Sequence, residues 1–157
     1  MTKLHLLLSN LENNIATQQL IAPSVSATSS GWHLEHSLLV INTIIGALKK
    51  SDPSSYQPSF NFKRSVVFAF RKIPRGRAKA PSRVHPAQDI DAEGLKSHLA
   101  ATVQKLKELD DLRANHYFEH PFFGQLNKKA TVKFLEIHTE HHLHIIKDIV
   151  KNNNKNS

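Results

Sequence analysis

Residues 138–144 read HTEHHLH, which brings four of the chain's eleven histidines into one short stretch. Neutral imidazole is a ligand for first-row divalent ions and a proton carrier near neutral pH, so the directions of these rings decide which chemistry is open to them. On a helix with Phe134 at the origin and about 100° per residue, His138 falls at about 40° and His142 at about 80°. Both lie inside an apolar arc formed by Leu135, Ile145, Ile146 and Ile149. By the same arithmetic His141 falls at about 340°, on the edge of that arc, and His144 at about 280°, outside it. An i, i+4 pair stacks two rings on one face, where both can reach a single ion at about 2.0–2.1 Å. The spacing permits chelation, but two hydrogen-bonded core histidines would satisfy it equally.

A third ring comes from residues 32–49, WHLEHSLLVINTIIGALK, which are apolar on more than one side and read as a largely buried helix. With Trp32 at the origin, His36 falls at about 40° among Leu39, Val40 and Ala47, and His33 at about 100° beside Ile44. His36 is the better centred, and His33 remains the alternative. Each unsatisfied buried polar group costs about 1–3 kcal/mol, and one shared ion would satisfy all three rings. Three neutral nitrogens in a chain with no cysteine suit a divalent ion, Zn or Ni best, with positions left open for water or substrate. An open position is the mark of a catalytic site.

The elements that must hold these rings follow from periodicity. Leu4, Leu7, Leu8, Leu11, Ile15 and Leu20 give a first helix, and the buried second follows, with Ser29 or Ser30 able to cap it. Residues 51–86 contain Pro53, Pro58, Pro74, Pro81, Pro86 and Gly76, so they read as a long crossover. KRSVVFAFRKI within it fits a short helix or a strand equally. Leu95, Leu99, Val103, Leu106, Leu109 and Leu112, behind an Asp91 cap, mark a third long helix. HYFEHPFFGQL reads as a turn in which Pro121 and Gly124 make a tight connection, with Phe122 and Phe123 plugging the core. Helix entrance also accounts for His120 better than a pocket does. Asn127 caps a last helix to about Lys151. The expected architecture is therefore all-α: a four-helix bundle over 1–151 with a long basic crossover between helices 2 and 3, and a polar tail at 152–157.

Charge is unevenly placed. Of the net +8, the whole excess lies between Lys63 and Arg83, where eight basic residues meet no acid. Such a segment can meet phosphates or an anionic substrate, with Arg71 and Arg75 as guesses for that contact, or it can be a solvated loop. The apolar patch at Leu4–Leu8 is far short of the roughly 20 residues a membrane span needs, so the expectation is a soluble, cytoplasmic protein.

The motifs GWHLEHSLLV and HPFFGQLNKKATVKFLEIHTEHHLHII resemble the DinB-like superfamily of metalloenzymes, and the second is similar to its DUF1569-type members. That resemblance implies a DinB-type bundle with His36, His138 and His142 as metal ligands. It also implies kinship with bacillithiol- or mycothiol-dependent transferases, hence a small-molecule substrate or low-molecular-weight thiol as partner. Related bundles often dimerise. The leading expectation is a divalent-metal-dependent transferase or hydrolase. Its rival is a non-catalytic bundle whose basic segment binds nucleic acid or an acidic partner, with steep salt dependence. In either case Phe60, Phe62, Phe68 and Phe70 are expected to dock the crossover.

Overall fold

The structure, a computed structural model, describes residues 2–76, 81–87 and 90–156. Each α-helix in it begins where a side chain takes up a backbone N–H that the helix leaves unpaired. Thr2 does so for α1 (Lys3–Glu12), Ser29 for α2 (Ser30–Lys50) and Asn61 for α3 (Phe62–Phe70). Asp91 caps α4 (Ala92–Leu106), and Asn127 Oδ1 accepts from Ala130 N at 2.9 Å at the start of α5 (Lys128–Asn156). Between α4 and α5, strands β1 (Tyr117–His120) and β2 (Gly124–Asn127) pair antiparallel, with Phe118 opposite Leu126.

Helix α2 sits centrally, packed on α5 and α4, while α1 lies against the same two helices. Its residues Leu34, Leu38, Ile41, Ile45 and Leu48 recur at steps of three and four and are all enclosed, meeting Leu4, Leu8, Leu11, Leu95 and Leu135 in one core. Fully burying one such side chain stabilises the fold by about 1.5–3 kcal/mol, so this stripe dominates the placement of α2. Polar contacts add direction. His98 Nδ1 meets Glu35 Oε1 at 2.8 Å and Asn42 donates to Thr102 Oγ1 at 2.8 Å, fixing α2 against α4.

The all-α four-helix expectation is not met. Among the described residues there are five α-helices and a two-stranded sheet. The additional helix is α3, inside the crossover, where an Asn61 cap and a left-handed Arg71 (φ 50°) bound a nine-residue segment that periodicity left undecided. The sheet replaces the expected turn. Phe123 N donates to His120 O at 3.2 Å with Pro121 between them, and Gly124 follows at φ 67°, the pattern of a three-residue hairpin loop. Phe118 and Leu126 then face inward as a cross-strand pair, and Phe123 joins the core, but Phe122 stays exposed. At the C-terminus α5 continues past Lys151 to Asn156, and Asn153 Nδ2 donates to Ile21 O at 3.1 Å, so the polar segment there is held as helix.

The crossover docks by charge more than by its aromatic rings. Arg64 donates to the carbonyls of Ser59, Phe123 and Gln125. Arg71 bonds Glu136 and Glu140 at 3.2 and 2.9 Å, and Arg75 bonds Asp148 at 2.8 Å. Phe68 packs edge-on to Phe123, but Phe60, Phe62 and Phe70 are 84, 72 and 72% exposed, because Arg64, Val67 and Phe68 occupy the inward side of α3. Lys63, Lys72 and Arg83 are exposed as well, while Arg77 and Lys79 lie outside the described residues. Among the described residues no helix is long and apolar enough to cross a membrane.

The start of α2 depends on one close approach. Gly31 N donates to Gln18 O at 2.8 Å, and a Cβ on residue 31 would stand 2.8 Å from that oxygen. Gly31→Ala is therefore expected to destabilise the fold by about 1–3 kcal/mol, the usual cost of overpacking, read from the midpoint of urea unfolding. A midpoint equal to that of the wild type would show that the Gln18 segment can retreat without cost.

Candidate metal centre

Helix α2 supplies His33 and His36 from its first two turns, and α5 supplies His138 and His142 from its middle. One nitrogen from each of His36, His138 and His142 lies within 4.8 Å of the other two. The ring centroids are 5.2 Å apart for His36 and His138, 4.7 Å for His36 and His142, and 4.6 Å for His138 and His142. The three residues singled out from spacing are thus brought together from two helices. Two donors at about 2.0–2.1 Å from one ion stand closer together than 4.8 Å, so the rings would close on an ion as they bind it.

Hydrogen bonds select which nitrogen each ring offers. His36 Nδ1 lies 2.7 Å from Val84 O, and since a carbonyl only accepts, Nδ1 carries the proton and Nε2 keeps its lone pair. The Trp32 ring stacks on the same imidazole at 4.7 Å and 14°. His142 Nδ1 lies 2.9 Å from His33 Nδ1, and His33 Nε2 lies 2.9 Å from Ser26 Oγ and 3.2 Å from Thr28 Oγ1. A protonated His142 Nδ1 would donate to His33, whose own Nε2–H then donates to the two hydroxyls, leaving His142 Nε2 as a free donor atom. His138 differs. Its Nδ1 is fully enclosed and has no hydrogen-bond partner, a defect that a bound cation would repair.

Burial keeps these rings neutral. Desolvation is the first cause of lowering in each case: it takes His33 to about 4, with the charge of His36 adding to it, and holds His138 and His142 well below the usual range. His36 is lowered by burial as well, the bond to Val84 acting in the opposite direction. Neutral imidazoles with free lone pairs are the ligand form that a divalent ion needs. The donor set therefore fits such an ion.

Several residues of the site escaped the sequence reading. His33 was weighed as a replacement for His36; in the structure it stands behind His142 and outside the three-ring cluster. Val84, from the crossover, and the Ser26 and Thr28 hydroxyls are contacts made by loops, which helical periodicity does not address. His141, on the edge of the arc, is half-buried with its ring 5.1 Å from that of His142, and His144 is exposed. His120, assigned to helix entrance, stacks on Phe123 at 4.3 Å and meets Phe134 edge-on, and burial lowers it to about 4. Its charge would also be felt at His138. The signal available was the aromatic run around it, HPFF.

Residues 29–149 match a family described as a protein of unknown function (DUF1569). No curated protein and no solved structure matches the chain.

Lowered histidines make the fold acid-sensitive in a defined window. Above about pH 6.5 both folded and unfolded chains hold these rings neutral, and no penalty arises. Between 6.5 and about 4 the unfolded chain binds protons that the folded chain refuses, so stability falls with pH across that interval. For His33 alone the shift corresponds to about 3 kcal/mol. Urea unfolding of metal-free protein at a series of pH values measures this, and a flat profile from 7 down to about 4 would contradict the burial of these rings.

Proposed function

The chain belongs to the DUF1569 family, whose function is unknown, and on that premise we propose that it is a divalent-metal-dependent enzyme whose ion is held by His36, His138 and His142. The observation that carries this is a trio of neutral imidazoles from two helices, one of them with an enclosed Nδ1 that lacks any partner. A structural polar cluster would pair its own atoms. This one pairs Nδ1 of His36 and of His142 outside the trio and keeps one nitrogen of each ring within 4.8 Å of the other two.

An ion bound there, Zn or Ni by ligand type, would serve as a Lewis acid that lowers the pKa of a bound water or thiol. The protein's part is to hold the ligands. Val84 fixes the tautomer of His36, His33 hydrogen-bonds His142, and Trp32 stacks on the first of these rings. Partners of this kind orient metal-ligating histidines and raise their basicity. With three protein ligands, positions remain for a small molecule, and the reading extends to group transfer or hydrolysis. The likeness of HTEHHLHII and GWHLEHSLLV to the DinB-like superfamily supports transfer to a low-molecular-weight thiol as the reaction class.

Two measurements test this reading. Elemental analysis of protein purified without a His-tag or nickel resin should give one zinc or nickel ion per chain, and His138→Ala should lose it while staying folded by circular dichroism. His33→Phe should keep the helical signal but weaken zinc affinity about 10–100-fold through loss of the bond to His142. Wild-type protein that takes up neither zinc nor nickel in a chelator competition would end the proposal.

A further inference from the structure

A cleft of about 470 Å³ lies beside the candidate metal centre, between residues 71–75 and one face of α5. Its walls carry Arg71, Lys72 and Arg75 from the crossover, and Lys147 and Lys151 from the helix, with Asp148 as the one carboxylate. His141 forms the end nearest the histidine cluster, since its ring is 5.1 Å from that of His142. The volume suits a small molecule, and the lining is cationic.

The charges do not cancel locally. Glu136 and Glu140 are taken by Arg71 and Lys3, and Asp148 is taken by Arg75. Among the described residues Lys72, Lys147 and Lys151 then have no ion pair at all. Lys147 and Lys151 stand at i, i+4, an arrangement in which like charges repel and destabilise a helix. The helix dipole does not account for them, because its effect is confined to the last turn of α5, where the basic residue is Lys155. Among the described residues no carboxylate is left to meet these three lysines, and all three line one open cleft.

We infer that this cleft binds a small oxyanion carrying at least two negative charges. Lys147 and Lys151, one turn apart, would contact it from α5, and Lys72 from the crossover. Arg75, held by Asp148, would keep one edge of its guanidinium toward the same space. Charge-assisted hydrogen bonds of this type are about twice as strong as neutral ones. On the metal-centre reading, which this part of the inference rests on, the site holds the anionic end of the substrate and leaves its reacting end facing His138 and His142. The anion site itself needs no metal.

Inorganic phosphate is the probe. The full chain, stripped of metal with EDTA, is titrated with phosphate at pH 7.5 and constant ionic strength, followed by two-dimensional amide NMR. Saturable shifts should be confined to residues 71–76 and 141–151. Lys147→Gln/Lys151→Gln should weaken the apparent Kd at least about tenfold, and Lys72→Gln should weaken it by a smaller factor. Lys49→Gln/Lys50→Gln, which removes the same charge at the far end of α2, should leave it unchanged. Phosphate should also raise the melting temperature of the wild type and not that of the Lys147/Lys151 variant. Unsaturable shifts spread over the lysines, or equal effects in the two double variants, would overturn the anion site. His138→Ala separates the two readings: it should abolish zinc binding and leave the phosphate titration as it is in the wild type.

Discussion

Four imidazoles lie between two helices, and the need to partner three of them, His33, His36 and His142, organises the structure around α2 and α5. Each ring has two nitrogens, and a buried one left alone costs about 1–3 kcal/mol. Val84 serves His36, and the Ser26 and Thr28 hydroxyls serve His33, which serves His142 in turn. Those partners come from loops far apart in sequence. Bringing them in obliges the crossover to return to the first turns of α2 and obliges the segment before α2 to fold over its N-terminus. The close seat of Gly31 on Gln18 belongs to the same constraint, since it sets where His33 starts.

The basic crossover is held to α5 by some of the charge that makes the chain so cationic. Arg71 spans Glu136 and Glu140, and Glu140 also meets Lys3 of α1, so one cluster of ions ties three elements together. Single exposed pairs of this sort contribute little, but a guanidinium shared between two half-buried carboxylates has both geometry and a lower local dielectric in its favour. Arg64 does the same without acids, through backbone carbonyls of the hairpin. The reading of residues 63–83 as a nucleic-acid footprint loses Arg64, Arg71 and, through Asp148, Arg75 to internal contacts. Of the other described basic residues there, Lys72 lines the cleft along α5, while Lys63 and Arg83 are exposed outside it.

The hairpin gives the site its other wall. Phe118 and Leu126 anchor it in the core, which sets His120 and Phe123 against Phe134, one turn before His138. An apolar wall on that side covers His138, and burial is the first cause that lowers its pKa. The loop chemistry, Pro121 following His120 and Gly124 in the left-handed region, is local. Its consequence for the metal centre is not.

Sequence alone marked α1, α2, α4 and α5, with caps at Asp91, Asn127 and one of Ser29 and Ser30, and it turned His36, His138 and His142 to apolar faces by a period of 3.6, although it ran the first helix on to about residue 21 and the third to about 115 where α1 ends at Glu12 and α4 at Leu106. Helical angles carry that information without any knowledge of neighbours. Periodicity could not decide the state of residues 62–70 or see strands in a four-residue run, and it gave no account of loop carbonyls and hydroxyls that turn rings to one tautomer. The tertiary structure decided these things. It placed His33 behind His142, left Phe62 and Phe70 facing outward once Arg64 had taken the inner side of α3, and set Lys72 opposite Lys147 and Lys151. Each depends on contacts between segments distant along the chain, and such contacts are fixed by packing and by the need to satisfy buried polar groups, neither of which a local pattern records.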